Sequence, residues 1–271
     1  MKSKVYYIAV SEKDPIEVVQ KKFSKLLDAS KILDAVVGKT AALKLHFGEE
    51  GNTGFVKPQY VREVVTRIIA KGVHPVLTDT NTLYKGRRTD PVEHTKLAHE
   101  HGFTREAIGA EVFIAGSPEG QATESIRIDQ QYIKEAFVEP FFAGVSSIVG
   151  IAHFKGHIMT GFGGALKNIG MGCASRKGKL AQHCDVSPII WEKSCIGCAT
   201  CLTVCPVQAI CMVDKKARID KEKCIGCATC IAVCPVRAID VPWETGASVI
   251  QEKMIEYAWA VLKDKKNTSA F

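Results

Sequence analysis

Two stretches of sixteen residues, starting at Cys195 and at Cys224, hold the residues best suited to chemistry. They read CIGCATCLTVCPVQAI and CIGCATCIAVCPVRAI and agree at 13 of 16 positions, which makes them an internal repeat. Each has the spacing C-x2-C-x2-C-x3-C-P, a thiolate run that holds a cubane 4Fe–4S cluster. The first three cysteines lie on one tight loop, and the fourth, a helical turn further on, serves the other cluster. The expected ligand sets are therefore Cys195, Cys198, Cys201 and Cys234, and Cys224, Cys227, Cys230 and Cys205. Gly197 and Gly226 let the backbone wrap around the sulfurs. Pro206 and Pro235 are expected to end the loops and start a short helical turn. Structural zinc would take four ligands in two separated pairs, and disulfides would need an oxidising compartment. Neither alternative accounts for four cysteines in eleven residues, repeated.

Such a run is that of bacterial two-cluster ferredoxins, so residues 188–243 are expected to form a small α+β module with two 4Fe–4S clusters. Residues 1–187 are expected to be an α/β domain with a mostly parallel sheet, and 244–271 a C-terminal helix packing back on that body. The chain has 271 residues, 46% apolar and 24% charged, as in ordinary soluble proteins. It has no apolar stretch of about 18 residues and no signal-peptide core, which points to the cytoplasm and away from a membrane. The formal charge of +7 falls to roughly +3 once two oxidised clusters with their thiolates are counted. That gives no clustered basic footprint for nucleic acid. Of the eleven cysteines, Cys173, Cys184 and Cys211 lie outside the two runs.

Upstream, strands are expected at Val5–Val10, Thr40–Phe47, His74–Asp79, Glu111–Ala115, Ser125–Ile128 and Ser147–His153. Helices are expected at Pro15–Leu27, with Asp14 as a cap, at Pro58–Lys71 and up to His101. Strands alternating with helices argue a parallel sheet, and ligands bind beyond the carboxyl ends of such strands. The polar residues gathered there are Lys44, His46, Asp79, Asn81, His153, Lys155 and His157, with Arg87 and Arg88 in the loop after the third strand. The run Gly161-Phe-Gly-Gly-Ala-Leu-Lys167 lacks the order of a P-loop, yet its glycines admit a ligand close to the backbone. A helix starting near Gly163 would turn free N–H groups to an anion. Lys167 is the candidate charged contact or nucleophilic amine. Arg176, Lys177 and Lys179 follow, facing substrate or clusters, or simply solvent.

These segments resemble the domain-of-unknown-function 362 family. The resemblance rests on Lys44-x-His46-Phe-Gly-Glu49, Asp79-Thr-Asn-Thr-Leu-Tyr84, Gly86-Arg87-Arg88, His153-Phe-Lys-Gly-His157, Gly161 to Gly172, Ser175-Arg-x-Gly-Lys179 and His183. It implies an α/β domain joined to a two-cluster ferredoxin domain. Gly161 to Lys167 is also similar to the G-[FY]-S-G-G-x-K segment of the nickel-pincer lactate racemase family. That likeness implies a cofactor-anchoring Lys flanked by two histidines, here His157 and His183. Gly163 stands where that family has Ser, and Gly86-Arg-Arg where it has Gly-x-His-Arg. No cofactor beyond the two clusters is assigned.

The function expected is electron transfer between the clusters and a small anionic substrate or cofactor in the α/β domain. His157, Lys167 and His183 are the catalytic candidates. Lys44, His46, Asp79, Asn81, Arg87, Arg88, Lys155, Arg176 and Lys179 are the substrate-binding ones. An electron donor or acceptor protein is the expected partner. Two alternatives stand beside this: a non-enzymatic carrier whose α/β domain docks a redox partner, and a racemase-like enzyme with structural clusters.

Overall fold

The computed structural model describes residues 4–84, 86–116, 122–157, 159–183, 187–243, 249–265 and 269–270. In chain order its first half comprises α1 (Ile16–Ser30), β1 (Thr40–Lys44), α2 (Pro58–Ala70), β2 (His74–Thr80), α3 (Pro91–Glu100), α4 (Arg105–Ile108) and β3 (Glu111–Ala115). Then come β4 (Glu124–Arg127), β5 (Glu135–Val138), α5 (Pro140–Gly144), β6 (Ser147–Gly150), β7 (Lys155–His157), β8 (Gly161–Gly163), α6 (Ala165–Gly170) and α7 (Arg176–His183). The cysteine region holds β9 (Ile189–Ile190), α8 (Thr200–Thr203), β10 (Ile210–Val213), β11 (Lys216–Ile219), α9 (Thr229–Val233) and β12 (Ile239–Asp240). Last are α10 (Ile250–Leu262) and β13 (Ser269–Ala270).

The main sheet runs β13-β6-β1-β2-β3, and every pairing in it is parallel. Its central strand, β1, has no alternating pattern: Ala41 to Lys44 are all buried, as befits a strand covered on both faces. One core lies under α2, whose Val61, Val64, Val65 and Ile68 pack with Leu43, Leu77 and Phe103. A second lies under α10, where Ala258 and Val261 meet Ile148, Phe142 and Ile169. A Cβ at Gly170 would stand 2.2 Å from the Met254 carbonyl oxygen, so α6 and α10 touch backbone to backbone there.

Three expectations need correction. Val5–Val10 is no strand, with Val5 88% and Tyr7 83% exposed. The run is not among the strands of the β13-β6-β1-β2-β3 sheet. Pro15 precedes α1 instead of starting it, and the Asp14 carboxylate binds Lys22 and the Ser11 N–H. The short helices of the cysteine region, α8 and α9, precede Pro206 and Pro235, which lie in turns. Cys184 and the expected start of the last helix at Gly246 lie outside the described residues. Among the described residues no helix is long and apolar enough to cross a membrane.

Candidate functional site

A cavity of about 240 Å³ opens beyond the carboxyl ends of β1, β2 and β6, where a parallel sheet leaves its crevice. Of the polar residues selected from the sequence, Lys44, His46, Asp79, Arg88, His153, Lys155, His157, Lys167, Lys179 and His183 line it. Residues 176–183, read only as a polar segment, form a helix that brings Lys179 and His183 to one wall. The hairpin of β7 and β8 sets Lys155 opposite Gly163 and His157 opposite Gly161.

The acidic lining residues are already committed. Asp79, 2% exposed, pairs with Lys44 Nζ at 2.9 Å and Arg88 Nη2 at 2.8 Å. Burial alone would raise its pKa, but the charges of Lys44 and Arg88 hold the carboxyl far below the usual range. Arg88 also reaches Glu49 and donates to Tyr84 Oη at 2.9 Å, while Tyr84 donates to Glu49 at 2.6 Å. Against its own burial, the His46 hydrogen bond and the Arg88 charge bring Glu49 down to about 2. Lys44 donates to Asn168 Oδ1 at 2.7 Å, and Asn168 Nδ2 returns to the Lys44 carbonyl, tying α6 to β1. A buried ion pair of this kind needs its remaining donors and acceptors satisfied, and these bonds do so.

The other basic lining residues make no ion pair among the described residues. Among the described residues Lys167 Nζ meets only the Met171 sulfur, at 3.1 Å. Burial, with Lys155 nearby, pushes its pKa down to about 8. Lys179 donates to Thr80 Oγ1 and the Ala174 carbonyl, and burial lowers it as well. His183 packs edge-on against Trp243, with centroids 4.9 Å apart, and its buried Nδ1 has no partner. Burial, then the charges of Lys167, His157 and Lys179, bring it to about 3, so the ring is neutral. His157 Nδ1 accepts from the Met159 and Thr160 N–H groups, which leaves the proton of the neutral ring on Nε2. The walls therefore offer cationic donors and several imidazoles, among them the neutral rings of His157 and His183, suited to holding an anion and moving protons.

Three selected residues stand elsewhere. Arg87, next to Arg88 in sequence, turns outward to a two-point pair with Glu100. Arg176 is 2% exposed and donates to the Thr82 and Thr89 carbonyls, bracing the loop that carries Arg88. Asn81 is buried with neither amide atom partnered, next to Gly116 and Glu139. Lys177 lies over the Phe137 ring at 3.6 Å. The selection missed Glu49, Tyr84, Asn168 and Trp243. The first three sit inside the segments that carry the family resemblance, a usable signal, whereas nothing near Trp243 in sequence marks it.

The two cysteine runs adopt one conformation twice. Gly197 and Gly226 have φ of 72° and 65°, and Ala199 and Ala228 both have φ of 59°. The Ala209 and Ala238 N–H groups donate to Cys205 and Cys234 sulfurs at 3.2 and 3.1 Å. Thr200 and Thr229 hydroxyls reach the Cys198 and Cys227 sulfurs, each at 3.4 Å. Burial raises the pKa of Cys201, and Cys198, Cys234 and Cys195 add to it. Burial also raises Cys230, assisted by Cys227, Cys224, Cys201 and Cys205. Cys205, Cys224, Cys227 and Cys230 line one apolar cavity together with Pro188, Ile210 and Ile219. All ten described cysteines are free. Among the described residues no three His, Cys, Asp or Glu converge as ligands of a single metal ion.

Leu83 and Trp243 line the cavity beyond β1, β2 and β6; Leu83 also belongs to the apolar cluster containing Cys201 and Cys230, and Trp243 packs against it. The two regions share a wall. The model of a family described as a domain of unknown function, DUF362, matches residues 41–268. Comparison with curated proteins gives no match.

Proposed function

We propose that this chain, which belongs to the DUF362 family, is an iron–sulfur oxidoreductase of a reducing, cytoplasmic compartment. It would move electrons between two 4Fe–4S clusters and a small anionic substrate in the cavity beyond β1, β2 and β6. The observation that carries this reading is the shared wall, in which Leu83 and Trp243 touch both the cavity and the cysteine core. The donor chemistry fits the clusters: two sets of four thiols, each approached by backbone N–H and hydroxyl donors that stabilise thiolate. A cube places its four ligands on four different irons. It therefore suits sets that do not converge on one ion.

Cys195, Cys198, Cys201 and Cys234 would hold one cluster, and Cys224, Cys227, Cys230 and Cys205 the other. Such clusters supply one-electron transfer. The rest of the work falls to the chain's own side chains. Lys167 and Lys155 hold the anion, His183 and His157 take or deliver a proton at neutral imidazole nitrogen, and Trp243 keeps water from the shared wall. Ile196 and Ile225, 64% and 48% exposed beside the first cysteine of each run, favour a second reading as a carrier docking a redox protein.

The experiment is anaerobic reconstitution, with iron and sulfide counted, followed by reduction and a screen of small organic acids for cluster reoxidation. Oxidation by a particular acid, lost in Lys167→Ala with cluster content unchanged, is the expected outcome. If no acid reoxidises the clusters while an acceptor protein does so at equal rate in wild type and variant, the chain is a carrier. Nickel or another metal beyond about eight irons would point to the racemase-like alternative.

A further inference from the structure

The internal repeat is its own control. CIGCATC opens both cysteine runs, so a difference in burial between equivalent residues is imposed by the surroundings and not by local sequence. Cys198 is exposed, whereas its counterpart Cys227 is half-buried. Ala199 and Thr200 are half-buried, whereas Ala228 and Thr229 are each 1% exposed. Ile196 is more exposed than Ile225. Just beyond, Leu202 is half-buried where Ile231 is buried, and Thr203 is exposed where Ala232 is half-buried. In each of these pairs the second run lies deeper.

What covers the second run is the wall of the cavity. A Cβ at Gly226 would lie 3.6 Å from Leu180 Cδ2 on α7, the helix whose Lys179 and His183 line the cavity. Around Gly197 the nearest atoms come instead from the β10–β11 hairpin, with the Lys215 carbonyl oxygen 2.5 Å and Met212 Cε 3.8 Å from such a Cβ. Ile231 and Ala232 line one hollow with Leu83, which also lines the cavity. Three of the four thiolates expected on each cluster come from its own loop, so the depth of a cluster follows the depth of its loop. Electron tunnelling weakens exponentially with distance, which makes depth decide what each cluster exchanges electrons with. We propose that the two clusters work in series. The one capped by Cys195, Cys198 and Cys201 exchanges electrons with a soluble redox protein, and the one capped by Cys224, Cys227 and Cys230 exchanges them with the cavity. This rests on the iron–sulfur reading, and it adds the order of the clusters and the face that the partner protein meets. Each passage moves one electron, one cluster being oxidised as the other is reduced, with no bond made or broken.

The test is electron paramagnetic resonance of the reconstituted full chain, partly reduced with dithionite, with and without a dysprosium chelate. The chelate speeds the relaxation of a cluster according to how closely it can approach. Thr200→Val and Thr229→Val each remove the hydroxyl contact to one sulfur, that of Cys198 or Cys227, and so lower the potential of one cluster and identify its signal. Relaxation of the cluster identified by Thr200→Val is expected to speed up several-fold more than that of the cluster identified by Thr229→Val. Leu180→Ala opens the contact between α7 and the second loop and should alter the second signal alone. Leu180 is buried, so if that variant unfolds the two threonine variants decide by themselves. Equal relaxation of the two clusters, faster relaxation of the second, or a Leu180→Ala effect on the first overturns the order. Any of these leaves the oxidoreductase reading in place, whereas a chain that takes up well short of about eight irons loses both.

Discussion

Replacing Lys167 by Met should make the protein more stable at neutral pH while impairing anion binding. Lys167 has its pKa lowered from 10.5 to about 8, chiefly by burial and secondarily by Lys155. Between about pH 8 and 10.5 the unfolded chain binds the proton that the folded chain has lost, so stability rises with pH across that window. Below about pH 8 both states carry the charge, and folding bears the full cost of burying it. A shift of about 2.5 units corresponds to about 3.4 kcal/mol. Partial solvent contact at this half-buried position brings the expected gain nearer to about 2 kcal/mol. Met is close in length to Lys and suits the company of Met171. At about 2 °C per kcal/mol for a chain of this size, thermal unfolding at pH 7 should shift upward by roughly 4 °C. The same pair compared at pH 10.5 should differ little. A destabilised variant at pH 7, or a gain that persists unchanged at pH 10.5, would refute the account of Lys167 as a desolvated cation awaiting a ligand. A functional residue that costs stability in the free protein is the expected signature of a binding site.

Asp79→Asn keeps the shape of the side chain but leaves Lys44 and Arg88 buried without their shared carboxylate. Chemical denaturation should record a loss of about 3–5 kcal/mol at pH 7. Because the Asp79 carboxyl is held far below its ordinary range, its stabilisation is present above about pH 4 and fades as the pH falls. Wild type and variant should therefore converge in acid, and an undiminished gap at pH 3 would contradict the ion-pair account. Gly170→Ala puts a methyl 2.2 Å from the Met254 carbonyl oxygen and should cost at least about 2 kcal/mol as α10 is pushed off α6. Gly144→Ala, where no atom lies within 4 Å of the added Cβ, is the control and should be near neutral. Equal melting temperatures for the two variants would mean that α6 and α10 are not in backbone contact.

The cysteine runs were legible because spacing is a local, covalent property. Four thiols within eleven residues cannot be far apart, whatever the rest of the chain does. The strand ends were legible for a related reason: in a parallel sheet every strand delivers its last residues to the same crevice, so Lys44 and Asp79 could be collected without knowing the strand order, whereas Lys155 reaches the crevice from the β7–β8 hairpin. The limits lie where a neighbour from elsewhere in the chain decides. Val5–Val10 has the composition of a strand, but it lies largely exposed outside the β13-β6-β1-β2-β3 sheet. Arg87 and Arg88 are identical in type and adjacent in sequence. One is at the surface with Glu100, and the other is buried with Asp79, Glu49 and Tyr84. Gly163 departs from the Ser of the resembling segment, and only the packing of Lys155 and Lys167 around it gives that glycine a reason. By itself, then, the sequence determined which residues are able to do chemistry and how each cysteine loop is built. The tertiary structure decided which cations lack a counterion, and that Trp243 and Leu83 make one wall of the cavity and the cysteine core, because burial and charge balance are set by residues distant in sequence.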